Sequence, residues 1–134
     1  MTIPKPEIDN KSTKLTNQIT ILEEEKPFVI SFQNNKINTT QLDSLASGSY
    51  KKFLKCLYTI GNDVCIINDL IASKRISCKR VSNEGSYTDL YNNLELDDQV
   101  YEIIGCGQDR LFFYPRFYPN IIYIISIENS HRKI

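Results

Sequence analysis

Three segments rich in β-branched and aromatic residues, Gln99–Ile104, Arg110–Arg116 and Ile121–Ile127, follow one another across very short connections. Gly105-Cys106-Gly107 and Tyr118-Pro119-Asn120 provide the turn residues between them. Strands joined this closely pair antiparallel, so the last third of the chain is predicted to be a three-strand meander.

The preceding segments are predicted to cover that sheet. Thr39-Thr40 is suited to cap a short helix bearing Leu42, Leu45 and Ala46. Ser49 opens a longer one, in which Tyr50, Phe53, Leu54 and Leu57 fall at i, i+3, i+4 and i+7 and share a face. Lys51, Lys52 and Lys55 lie away from that face, and Gly61 suits the helix stop. Asp63 can cap a further helix with Val64, Ile67, Leu70 and Ile71 on its apolar side; Val64–Ile67 reads equally as a strand. Upstream, Ile19–Ile21 and Phe28–Phe32 read as two strands, and residues 1–18, polar and aperiodic with Pro4 and Pro6, as a flexible arm. Between Ser73 and Asp98 the pattern lapses into a long polar connection. The expected fold class is α+β: one domain over 19–134, a twisted antiparallel sheet ending in the meander, with helices packed on one face.

Composition narrows the function classes. Sixteen basic and sixteen acidic residues cancel, which argues against a protein that coats nucleic acid without specificity. Between Lys51 and Arg80, however, seven basic residues stand against Asp63 and Asp69, so a local basic surface is expected. No apolar run approaches the roughly 18 residues that span a bilayer, and no basic-then-apolar leader opens the chain, so the reading is cytoplasmic and without a membrane partner. Cys56, Cys65, Cys78 and Cys106 never form a C-x-x-C pair, and the one histidine, His131, lies far from them. Free thiols, no metal site and no cofactor are expected.

Chemistry concentrates on the second strand of the meander. Arg110, Phe112, Tyr114 and Arg116 alternate with Leu111, Phe113 and Pro115, so two guanidinium groups and two rings share a face, a composition suited to phosphates and unstacked bases. A four-residue hairpin loop would pair Arg116 with Ile121, Tyr114 with Tyr123, Phe112 with Ile125 and Arg110 with Ile127; a slip of one residue would send Tyr123 to the core. That face is expected to be solvent-accessible. His131 follows just after the last strand, and histidine titrates near neutrality and moves protons.

At Gln108-Asp109-Arg110-Leu111-Phe112-Phe113-Tyr114, Ile121–Ser126 and His131 the chain resembles the RelE/ParE-like toxins of bacterial toxin–antitoxin systems, in particular their YoeB-type ribosome-dependent endoribonucleases. The resemblance covers about a quarter of the chain. It implies that Arg110 and His131 belong to an RNA-cleaving site, with Glu84 as counterpart of the family's catalytic glutamate. Arg132 stands where the family ends in an aromatic residue. The resulting expectation is a toxin-like, metal-independent endoribonuclease acting on mRNA, free or ribosome-bound, with an antitoxin or other protein as partner. Arg116, Tyr114, Tyr123, Arg132 and Lys133 would bind the RNA. The alternative is a non-catalytic protein-binding module that presents the same aromatic and arginine face.

Overall fold

A computed structural model of the chain describes residues 28–62, 67–117 and 120–129. Its strands β1 (Val29–Ser31), β2 (Cys78–Val81), β3 (Val100–Ile104), β4 (Arg110–Arg116) and β5 (Ile121–Glu128) form one sheet in the spatial order β1-β5-β4-β3-β2. The meander β3-β4-β5 is antiparallel, as its short connections dictate, and β2 extends it antiparallel. At the other edge β1 joins β5 in parallel, so the sheet of this α+β fold is mixed rather than wholly antiparallel. The β1–β5 crossover holds everything between, including helices α1 (Thr39–Asp43), α2 (Ser47–Asn62) and α3 (Ile67–Ala72) and the 3₁₀ helix Gly85–Tyr91. The arm at 1–18, the strand expected at Ile19–Ile21 and the cap expected at Asp63 lie outside the described residues; α3 itself buries Ile67 and Leu70.

Pro115 sits in a central strand, where a missing N–H would ordinarily break a ladder. Pairing of β3 with β4 ends at Tyr101 and Phe113, so no ladder partner stands at that side of Pro115.

Register follows expectation at first, with Arg116 opposite Ile121 and Tyr114 opposite Tyr123. A bulge at Phe112/Phe113 then changes the phase: Phe113 faces Ile124 and Phe112 faces Ser126, leaving Ile125 as the extra residue. Arg110 consequently lies opposite Glu128 instead of Ile127.

Both faces of the sheet are covered. On one, Phe53, Cys56 and Ile60 of α2 with Ile67 and Leu70 of α3 pack on Tyr101, Ile103, Leu111, Phe113, Ile122 and Ile124. The Cys56 thiol, in hydrogen-bonding contact, and burial together push the Cys78 thiol pKa well up, so Cys78 stays protonated and inert. The buried stripe of α2 is Ser49, Phe53, Cys56 and Ile60, which corrects half of the expected face: Phe53 is buried and Leu57 packs half-buried against the core, but Tyr50 and Leu54 are exposed. The helix begins at Ser47 and continues through Gly61 to Asn62.

The rotation of α2 is set from sixty residues away. Asp109, in the turn between β3 and β4, accepts hydrogen bonds from the Ala46 backbone N–H (2.9 Å) and the Ser49 hydroxyl (2.6 Å), while Ser49 Oγ accepts one from the Cys106 N–H (2.8 Å). A carboxylate at this position also meets the positive end of the helix. Gly105 permits the contact: a Cβ there would stand 2.8 Å from Ser49 Oγ and 2.9 Å from the Phe53 ring. Ser49 is therefore drawn inward, and Tyr50, Leu54 and Tyr58 are turned outward.

Candidate functional site

Of the face bearing Arg110, Phe112, Tyr114 and Arg116, the aromatic middle is closed to solvent, while the arginines at its two ends are partly exposed. Tyr87 and Leu90 of the 3₁₀ helix close over it and join Val81, Val100, Phe112, Tyr114 and Ile125 in a second apolar cluster, leaving Tyr114 only 2% exposed. The expected base-stacking platform is thus a packed layer. The covering segment carries its own apolar spacing, Tyr87, Leu90, Tyr91 and Leu94 at i, i+3, i+4 and i+7, a signal that the polar residues around it obscure. Tyr114 and Tyr123 do pair, with centroids 5.0 Å apart and planes 15° from parallel, and the Arg116 guanidinium lies 5.4 Å from the Tyr114 ring and 5.8 Å from that of Tyr123. Arg116 is itself held by the Asp98 carboxylate, through Nε at 3.2 Å and Nη2 at 2.8 Å. Burial pushes the Asp98 pKa up, but hydrogen bonds from Arg116 and the Glu95 N–H outweigh it and hold the group below the usual carboxylate range. The same pair raises the Arg116 pKa, so this arginine is a fixed cation spent on an internal partner.

Arg110 belongs to a different set of groups. The bulge, and the cross-strand pairing of Lys79 with Glu102, gather Lys79, Glu102, Arg110, Ser126 and Glu128 at one end of the sheet. Glu102 is 1% exposed, with Oε1 3.3 Å from Lys79 Nζ and 3.8 Å from Arg110 Nε. Among the described residues neither Glu102 Oε1 nor Arg110 Nε forms a hydrogen bond, so this is an ion cluster held by proximity. Arg110 Nη1 donates to the carbonyls of Gly107 and Asp109, both at 2.8 Å, and its side chain is 13% exposed. An anion approaching Arg110 would compete with Glu102 and with the turn. On the next rung Ser126 Oγ donates to Glu128 Oε2 at 2.6 Å.

Glu84 stands apart from this set. It is exposed and extended ahead of the 3₁₀ helix, on a cleft of about 180 Å³ shared with Lys79, Arg80 and Tyr87. His131, Arg132 and Lys133 lie outside the described residues. Cys56, Cys78 and Cys106 are free, and among the described residues no group of three or more His, Cys, Asp or Glu side chains is placed to hold a metal. No described helix is long and apolar enough to cross a membrane.

A broad concavity lies elsewhere, along the outer side of α2. A groove of about 790 Å³ runs between this helix and the segment Arg75–Ser77 that leads into β2. Its apolar surface comes from Leu54, Cys56, Tyr58 and Ile76, and its cations are Lys51, Lys52, Lys55 and Arg75. Leu54 is 69% exposed and Tyr58 68%. Tyr50, one turn before Leu54, extends the stripe and donates its hydroxyl to the Leu42 carbonyl. Assigning Leu54 to the core concealed this surface in the sequence, although the basic excess from Lys51 to Arg80 pointed to the right region.

Scans of protein-family models, of curated proteins and of solved structures each found no significant match to this chain.

Proposed function

We propose that this chain is a protein-binding module that docks its partner along the outer side of α2. The reading is the second of the two that the sequence raised, moved from the sheet face to the helix. One observation carries it: Leu54 and Tyr58 stand more than two-thirds exposed at the rim of a groove of about 790 Å³. Burying a leucine or an aromatic side chain is worth about 1.5–3 kcal/mol, which the fold forgoes twice here. Contiguous apolar surface rimmed by charge is the pattern of a contact site, and tyrosine is among the residues that dominate such contacts. The test is a photo-crosslinking amino acid at Leu54, expressed in the cells the chain comes from, with Thr88 on the 3₁₀ helix as control. A discrete protein adduct at Leu54, absent at Thr88, is expected; equal labelling or none rejects the reading.

A toxin-like, metal-independent endoribonuclease is the second reading, favoured by the gathering of Lys79, Glu102 and Arg110 where β5 ends, with His131 three residues past Glu128 in sequence. The substrate 2′-hydroxyl, losing its proton to solvent, would attack the adjacent phosphorus and break its bond to the 5′-oxygen, Arg110 would balance the charge that builds there, and His131 would protonate the departing 5′-oxygen. Tyr114 contributes no stacking surface to this scheme, being buried. Induced expression should then arrest growth and create new mRNA ends, with Arg110→Ala reducing cleavage about a hundredfold. Unchanged transcript ends on expression of the wild type, with neighbouring genes removed, would eliminate it.

A further inference from the structure

We infer that the partner segment in the α2 groove is an amphipathic α-helix with acidic flanks. This rests on the reading of α2 as a docking face and names the chemistry of what docks there. Tyr50, Leu54 and Tyr58 recur every fourth residue and form a single ridge about 12 Å long at 1.5 Å per residue. Ridges of this spacing are what one helix packs into the grooves of another. Beside the ridge, the buried side chains of Cys56 and Ile76 give the trough an apolar floor.

Charge selects the flanks. Among the described residues the groove lining holds Lys51, Lys52, Lys55 and Arg75 and no carboxylate. α2 has no acidic residue anywhere in Ser47–Asn62, so nothing on the helix offsets these lysines. None of the three forms an ion pair among the described residues. Lys51 and Lys55 are like charges at i, i+4, and Lys51 and Lys52 lie in the half of the helix nearer its positive end, both unfavourable for α2 alone. Glutamates on a docked helix would reverse both terms. A second copy of the same face would not, because a two-fold interface sets lysine against lysine. A nucleic acid would meet the lysines but leave the Leu54 and Tyr58 ridge uncovered.

The test uses the full chain and two labelled helical peptides that share one leucine face at i, i+3, i+4 and i+7, one flanked by glutamates and the other by lysines, titrated by fluorescence anisotropy at low salt. The glutamate peptide should bind at least roughly tenfold tighter and weaken as salt rises. Lys51→Glu with Lys55→Glu, both at exposed positions, should invert the preference, and Leu54→Ser should weaken both peptides. Equal affinity for the two peptides, no binding of either, displacement by a single-stranded RNA, or dimerisation of the free chain lost in Leu54→Ser would each overturn the inference. If crosslinking at Leu54 finds a protein while the peptides show no charge preference, the docking face stands and the acidic helix falls. If crosslinking also fails, both fall.

Discussion

At its N-terminal end α2 buries a serine: Ser49 is fully enclosed, bonded to Asp109 and Cys106, with Gly105 pressed close against it. On its outer side the same helix leaves Leu54 and Tyr58 in solvent beside three lysines that form no ion pair among the described residues. A polar residue is inside and large apolar ones are outside, and the two departures have different causes. The buried serine is explained within the chain, because the turn between β3 and β4 supplies both of its partners. The exposed leucine and tyrosine have no such explanation among the described residues, and the groove beside them is where the proposed partner would dock.

The first way to break this contrast is at Asp109. Asp109→Ala leaves the Ala46 N–H and the Ser49 hydroxyl without their acceptor in a buried site, and should cost about 3 kcal/mol in denaturant unfolding. A loss under about 1 kcal/mol would mean that the turn does not hold the helix. Gly105→Ala probes the steric half of the same junction: its Cβ would meet Phe53 and Ser49, and about 1–3 kcal/mol should be lost. Unchanged stability would show that α2 can shift outward freely.

Asp98 and Arg116 sharpen the contrast from another side, as a cation held internally where the lysines of the groove are not. The folded pKa of Asp98 lies below its unfolded value, so the pair's contribution is complete above about pH 4 and disappears as pH falls through the folded value. Asp98→Asn should therefore lower the thermal midpoint more at pH 7 than at about pH 3. A midpoint loss that is the same at both pH values would remove the carboxylate from the account. Charge reversal at Lys51 and Lys55 should leave stability nearly unchanged.

How much of this was legible in the sequence depended on the range of the interactions. The meander could be read because Val100–Ile104, Arg110–Arg116 and Ile121–Glu128 declare themselves locally and their turns admit one pairing. The Tyr114–Tyr123 pair followed from hairpin counting, but the bulge that places Glu128 beside Arg110 did not, since no residue type marks Ile125 as supernumerary. The face of α2 was misread because the helix carries two overlapping apolar stripes, one through Phe53, Cys56 and Ile60 and one through Tyr50, Leu54 and Tyr58. Choosing between them requires the contact between Ser49 and Asp109, which no local pattern announces. The buried state of Tyr114 depends likewise on Tyr87 and Leu90 returning from a segment that looked patternless.

Substituting Leu54 and Tyr58 together by serine, and recording thermal unfolding alongside binding to the crosslinked partner, tests most directly whether the outer side of α2 serves a partner or the fold. The thermal midpoint should stay within about 2 °C of wild type while partner binding is lost, because both side chains are mostly in solvent in the free chain. A midpoint lowered by about 8 °C or more, with binding retained by the fraction still folded, would show that these residues belong to the core after all.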